Sequence, residues 1–205
     1  MEQSTFIKRL VARSEFGPLV LLVIMVLVFW QINPAFLSAR NIGNMLAFTV
    51  ELGLIALAMT LLMTAGEFDL SVGSLFGFCP VLMWTLYNTE VTSIEVGFAL
   101  ALAAAVAVGL VSGLFVTRLK IPSFLVTLGM LLVVRGTALF VTSGFPQRTW
   151  NASDLALAEI LVGGFKIAGL RLHMSLLWFV VVAAALGYVL TQTRIGNWIQ
   201  AAGGN

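Results

Sequence analysis

Hydrophobic and polar positions fall in blocks along this chain rather than alternating residue by residue. Long runs of Leu, Val, Ala, Ile and Phe are separated by short polar breaks. A helix rises about 1.5 Å per residue, so about 20 such residues cross the hydrocarbon core of a bilayer. On that rule the pattern predicts six spans, over residues 17–37, 44–64, 71–87, 94–116, 123–141 and 174–193, the third of them short. The predicted fold is all-α: a polytopic transmembrane helix bundle forming one domain over residues 1–205. No period-2 alternation of the kind a membrane β-barrel requires is visible. The first run is too long for a signal-peptide core and is not followed by a small-residue cleavage pattern, so it reads as a retained span.

The longest break, residues 142–173, holds Pro146, Trp150, Asn151, Asp154 and an apolar stretch over 155–165. Its length predicts a short helix on or dipping into the outer face. Asn151-Ala152-Ser153 matches a glycosylation acceptor pattern that is frequent by chance. Trp30, Trp84, Trp150, Trp178 and Trp198 fall near predicted span ends, where amphipathic rings anchor at the interface. In the fourth span Gly97, Ala101, Ala105, Gly109 and Gly113 recur every four residues, a stripe that lets another helix approach closely.

Composition strengthens the membrane reading. The chain is 60% hydrophobic and 10% charged, against about 45–50% and about 25% in soluble proteins. A net charge of +2 offers nothing to nucleic acid, and the basic residues serve instead as orientation signals. With the N-terminus cytoplasmic, Lys8, Arg9, Arg13, Arg118, Lys120 and Arg194 lie inside. Arg40, Arg148, Lys166 and Arg171 lie outside, three of them in one long loop. Cys79 is the single cysteine and His173 the single histidine, so no thiolate or paired-histidine metal site is expected. Cys79 reads as a small apolar residue, and His173 as an interfacial polar one.

Two ionisable residues fall within spans, Glu51 and Arg135. Each costs about 2.5–3.5 kcal/mol near a helix centre on insertion scales, so each should face the bundle interior or water. With the N-terminus inside, both lie about 10 Å below the outer ends of their spans. Opposite charges at one depth predict an ion pair between the second and fifth spans, which either locks two helices or lines a polar pathway.

Residues 64–74, TAGEFDLSVGS, place Glu67 and Asp69 in the break between the second and third spans. Ser71 is a fit N-cap for the third helix, and the carboxylates lie near the positive end of its dipole. Gly66 and Gly73 carry turn chemistry. A re-entrant turn deeper in the membrane would instead aim Asp69 into a pathway, so Glu51, Asp69, Ser71 and Arg135 are the candidates for a pathway or gate. No phosphate-loop, H-E-x-x-H or G-x-S-x-G signature occurs, and an enzyme is not expected.

Three segments, in order, resemble one family. GEFDLSVGS (residues 66–74) resembles the GGIDLSVG signature of permease subunits of ribose/xylose-type ABC importers. Residues 109–146 resemble its central stretch, including RLKIPSFLVTLG and the Arg-Gly at Arg135. Residues 190–205, LTQTRIGNWIQAAGGN, resemble the cytoplasmic segment leading to its ATPase-contacting loop. The signature maps onto Gly66, Glu67, Asp69, Leu70, Ser71, Val72 and Gly73, with Glu67 and Phe68 standing where the family has Gly and Ile. A positive φ at position 67 would be costly for Glu67. The chain stops at a point where relatives continue through further spans, so the resemblance implies the N-terminal part of a longer domain.

The resemblance implies a multi-pass permease component of a monosaccharide (pentose or hexose) importer in a bacterial plasma membrane. Implied partners are a second permease subunit (homo- or heterodimer), a cytoplasmic ABC ATPase and an extracytoplasmic sugar-binding protein. No cofactor is expected on this chain, ATP being bound by the ATPase. Arg194, Gly196, Gly203, Gly204 and Asn205 are the implied ATPase-coupling residues, though a glycine pair after a helix also reads as a C-terminal cap. Alternatives are an ion-coupled secondary transporter of a small polar solute, using Glu67, Asp69 or Glu51, or a non-functional truncated permease.

Overall fold

Apolar runs bounded by capping residues set the helix ends. The structure, a computed structural model, describes residues 16–147, 149, 156–167 and 170–204. Its elements are α1 (Phe16–Ile32), a 3-10 turn η1 (Pro34–Leu37), α2 (Ala39–Thr64), α3 (Val72–Asn88), α4 (Ile94–Leu119), α5 (Ser123–Thr142), α6 (Ala156–Val162), β1 (Gly164–Ile167), β2 (Leu170–His173), α7 (Met174–Gln192) and α8 (Arg194–Gly203). By length and composition α2, α4, α5 and α7 can cross a membrane, and α1 is a shorter apolar helix. The predicted all-α polytopic bundle is therefore present, with one small hairpin added.

Local chemistry explains where the boundaries depart from the expected ones. The first helix was expected to reach residue 37 but ends at Ile32. Asn33 Oδ1 accepts the Ala35 N–H at 3.0 Å, and Pro34 starts a separate turn. The second begins at Ala39 rather than 44, because Ser38 Oγ accepts the Asn41 N–H at 3.3 Å and caps an earlier start. The 142–173 break does carry a short helix, α6. It is followed by an antiparallel hairpin in which Phe165 faces Leu172 and Lys166 faces Arg171. The Trp178 indole donates to the Ile160 carbonyl at 3.1 Å and so ties α6 to α7 rather than acting only as an anchor. Trp150 and the 151–153 acceptor pattern lie outside the described residues, as do Lys8, Arg9, Arg13 and Arg148.

Packing divides the helices into two groups. In one, α3, α4 and α5 pack mutually; in the other, α2 packs with α7, α8 and β2, while α1 packs chiefly on η1. The small-residue stripe of α4 is used in its first half. Gly97 and Ala101 are buried against α3, and a Cβ on Gly97 would sit 3.2 Å from the Met83 carbonyl oxygen. The Cys79 thiol donates to the Ala101 carbonyl at 3.6 Å at the same seam. Gly109 and Gly113 have nothing within 4 Å of an added Cβ, so the second half of the stripe is unpacked.

The ends of the helices gather into two layers. One holds the 65–71 turn, the α4–α5 connection with Arg118 and Lys120, and α8. Contacts of Phe68 with Ser123, and of Gly203 with Thr64, tie it together. The other holds η1, the α3–α4 turn and the hairpin, where Gly43 backs onto the Arg171 carbonyl and Asn88 Nδ2 donates to Gln147 Oε1 at 3.3 Å. His173 lies in this second layer, at the start of α7.

Candidate functional site

The signature turn begins as a glycine stop on α2. Gly66 has φ +79°, and its N–H donates to the Met63 carbonyl at 3.0 Å while the Glu67 N–H donates to the Leu62 carbonyl at 3.1 Å. This is the paired Schellman pattern that satisfies the last carbonyls of a helix. Gly66 carries the left-handed conformation, and Glu67 is not among the residues at positive φ. A glutamate is therefore accommodated at position 67 without backbone strain.

Past the stop, the chain is held against α5. Ser123 Oγ accepts the Phe68 N–H at 3.2 Å, and the Thr127 hydroxyl lies 3.5 Å from the Phe68 carbonyl it faces. Thr127 is buried, and its hydroxyl also donates to the Ser123 carbonyl at 2.8 Å. Ser123 and Thr127 escaped the sequence reading. The only signal for them was a serine directly after Pro122 and a threonine one turn later.

The cap of α3 differs from the expected one. Ser71 does occupy the N-cap position, yet its side chain accepts nothing from the helix. Instead Asp69 Oδ1 accepts both the Ser71 N–H at 2.7 Å and the Ser71 hydroxyl at 2.6 Å. The Ser71 backbone carbonyl starts the helix ladder by accepting the Leu75 N–H at 2.9 Å. Ser71 is 1% exposed, the most enclosed side chain of the region. The reason is local reach. A carboxylate two residues upstream folds back over the turn, so the serine becomes donor rather than acceptor. Leu70 and Val72 flank this unit, both half-buried.

One turn into α3, the Ser74 hydroxyl donates to the Leu131 carbonyl of α5 at 3.0 Å. Beside that bond opens a cleft of about 450 Å3 between α3 and α5, walled by Gly73, Ser74, Gly77, Phe78 and Val81 on one side and by Leu131, Arg135, Ala138 and Leu139 on the other. Arg135 is exposed within it. Ser74 was missed as a site residue although it ends the signature stretch.

Glu51 and Arg135 do not form the expected ion pair. Glu51 is exposed on α2, and neither charge has a hydrogen-bond or ionic partner among the described residues. The cause is the packing: α2 belongs with α7 and α8, α5 with α3 and α4. Ile55, one turn below Glu51, faces a second cleft of about 340 Å3 lined by Val72, Leu75, Phe76, Cys79 and Pro80. At 100° per residue these positions lie across α3 from those beside Arg135. Helix α3 stands between the two charges.

At the end of the chain, Thr193 Oγ1 accepts the Gly196 N–H at 3.3 Å and caps α8. Gly196 is buried against the Val189 and Leu190 carbonyls, and Gln200 Nε2 donates to the Leu190 carbonyl at 2.9 Å, so α8 folds back on α7. Neither Gly203 nor Gly204 has the positive φ of a left-handed cap. Gly203 is instead required by space, since a Cβ there would collide with the Thr64 carbonyl. Arg194, Ile195 and Trp198 stand out from α8, with Trp198 71% exposed. Asn205 lies outside the described residues.

These features describe a multi-pass helical membrane protein in which a polar turn joins two helix groups beside a cleft that holds Arg135. Residues 41–205 match the family described as branched-chain amino acid transport system / permease component, and the chain belongs to that family. It is 32% identical over 97% of its length to the xylose/arabinose import permease protein XylH of Sulfolobus acidocaldarius, covering 55% of that protein. It is 31% identical over 93% of its length to the ribose import permease protein RbsC of Escherichia coli K12, covering 58% of it. With the L-arabinose ABC transporter permease protein AraH of Azospirillum brasilense it shares 36% identity over 84% of its length, covering 48% of that protein. The chain thus spans about half the length of the curated relatives it matches. No solved structure matches it. The family is one of transport permeases rather than an enzyme class.

Proposed function

We propose that this chain is the membrane-spanning permease part of an ATP-driven monosaccharide importer, with a pentose as the first substrate class to test. The observation that carries the reading is the similarity to xylose/arabinose, ribose and L-arabinose permeases over most of the chain. In this reading six helices span a plasma membrane with the N-terminus inside. The layer holding Arg118, Lys120 and Arg194 is then cytoplasmic, in line with the preference of basic loops for that side.

The partners follow from the same reading: a second permease subunit, a cytoplasmic ATPase that binds the ATP, and an outer sugar-binding protein. The chain itself breaks no bond. Its exposed α8 surface, with Arg194, Ile195 and Trp198, is the side offered to the ATPase. Gly196 and Gly203 let that helix lie flat on α7 and on the end of α2. A push on α8 therefore arrives at Thr64 and the signature turn. From there Phe68 leads to α5, and Ser71 and Ser74 lead to the cleft where Arg135 stands to meet sugar hydroxyls. Asp69 serves this path by fixing the start of α3.

The test is accumulation of labelled ribose, xylose and arabinose by cells that express the protein with its partners. Accumulation of at least one sugar, lost when the gene is deleted and regained on its return, is expected. Unchanged accumulation of all three after deletion contradicts a pentose importer.

A further inference from the structure

Helix α3 is held by different neighbours in its two halves. The second half is seated on α4: the Cys79 thiol donates to the Ala101 carbonyl at 3.6 Å, and Gly97 backs onto the Met83 carbonyl. The first half is tied to α5. There the Ser74 hydroxyl donates to the Leu131 carbonyl at 3.0 Å, and the Phe68 N–H just upstream donates to Ser123 Oγ at 3.2 Å. The change of partner falls between Ser74 and Cys79.

The small-residue stripe of α4 records the same division. Cys79 stands opposite Ala101 and Met83 opposite Gly97, an antiparallel register that brings position 109 level with Ser71. Nothing lies within 4 Å of an added Cβ at Gly109 or Gly113. The stripe is filled beside the second half of α3 and not beside the first.

The backbone between the two ties is the weakest stretch of the helix. Pro80 lies inside α3 and has no N–H, so the Phe76 carbonyl lacks its helical donor. Gly77 follows with the freedom of a residue that has no Cβ, and an added Cβ there or at Gly73 would meet nothing within 4 Å. The cleft of about 450 Å3 toward α5 and the cleft of about 340 Å3 toward Ile55 of α2 flank this same stretch. Their α3 walls are drawn from residues 72–81, so the first half of the helix has room on both sides.

We infer that α3 is a two-part lever hinged around Gly77, in which residues 72–76 swing with the signature turn while residues 79–88 stay seated on α4. The Ser74–Leu131 hydrogen bond is the latch that holds the swinging part against α5. Ser71 lies six residues before Gly77, about 9 Å at about 1.5 Å per residue. A bend of about 20°, the onset of a sharp proline kink, carries Ser71 by about 3 Å. Ser74 moves about half as far, which takes its 3.0 Å bond out of hydrogen-bond range. The cleft that holds Arg135 then changes width at its Gly73–Ser74 end and keeps its shape at Val81. As a gate on sugar passage the hinge rests on the proposed function; as a bend it is read without transport.

Spin labels on the full chain test the bend, in a Cys79→Ser background that keeps a donor for Ala101. One pair, Gly73→Cys with Val133→Cys, joins the first half of α3 to α5; the other, Thr89→Cys with Leu100→Cys, joins its far end to α4. All four positions are exposed. Ser74→Ala removes the latch and is expected to broaden the first distance distribution at least about twofold while leaving the second unchanged. Pro80→Ala restores a donor to the Phe76 carbonyl and should cancel that broadening. Unchanged distances in Ser74→Ala, equal broadening of both pairs, or broadening that survives Pro80→Ala overturn the inference.

Sugar uptake tests the gate. Pro80→Ala should lower it at least about tenfold, whereas Pro80→Gly, whose backbone still bends, should keep at least about half. Equal uptake in the two variants overturns the gating role. The expected label distances in a chain that takes up no sugar would count against the importer and leave the hinge standing; wild-type uptake with unchanged distances does the reverse.

Discussion

Gly203 of α8 presses on the carbonyl oxygen of Thr64, the last residue of α2, so closely that no side chain fits between them. Gly66 lies on the same joint, an added Cβ there coming 3.6 Å from the Gly203 Cα. The last helix of the chain and the signature turn therefore form one mechanical unit, although they are far apart in sequence.

Gly203→Ala is expected to lower stability by about 1–3 kcal/mol, the usual cost of overpacking a fixed contact. Gly109→Ala is the control, since nothing lies within 4 Å of its added Cβ, and helix propensity favours alanine by about 0.5–1 kcal/mol. Thermal unfolding of the two purified variants in detergent should show a lower midpoint for the first and an equal or higher one for the second. Equal falls would remove the Gly203–Thr64 joint.

The signature turn gives a second contrast. Gly66→Ala forces a side chain into the left-handed region at φ +79°, at a cost of about 1–2 kcal/mol. Glu67→Gly restores the residue found in the family signature but relieves no strain, so it should leave stability unchanged or lower by up to about 1 kcal/mol through added backbone freedom. A stabilised Glu67→Gly variant in a denaturation series would show that position 67, not 66, bears the unusual backbone.

Asp69→Ala removes the acceptor for two Ser71 donors, one of them on a side chain that is 1% exposed. Leaving buried donors unsatisfied costs about 1–3 kcal/mol. Asp69→Asn keeps an acceptor oxygen and should lose less than half as much. Hydrogen exchange of the Ser71 amide reads this directly: faster in Asp69→Ala, near normal in Asp69→Asn. Equal protection in both would mean that the carboxylate does not hold the start of α3.

These contrasts also mark what the sequence could disclose. The all-helical architecture was legible because 60% hydrophobic composition in blocks leaves few ways to satisfy backbone groups in lipid except helices; of the six expected spans, four are long and apolar enough to cross a membrane among the described residues. Ser71 was legible as a boundary and misread as a chemistry, because the carboxylate two residues upstream takes its hydroxyl as a donor, and the serine oxygen then accepts nothing from the first amides of α3. The Glu51–Arg135 pair was misread because helical depth follows from residue count, whereas lateral neighbours do not. Ser74, Ser123 and Thr127 act across separations of 55 or more residues, which no local pattern encodes. The β-hairpin was hidden by its length, four residues to a strand.

Gly77→Leu tests the open face of α3. Nothing lies within 4 Å of an added Cβ at Gly77, so the folded chain has room for the side chain, and exchanging glycine within a helix gains about 0.5–1 kcal/mol. Unfolding should be unchanged or later while sugar uptake falls at least tenfold. Retained uptake would show that neither the cleft nor the α3 face takes part in transport.

The central claim is most directly tested by the energy source of uptake. Vesicles holding the protein with the proposed ATPase and binding-protein partners, loaded with ATP and given labelled pentose, are treated with ionophores that abolish proton and sodium gradients. The account predicts uptake that persists under ionophores and stops when ATP is withheld. Uptake that continues without ATP and collapses with the gradients would contradict it.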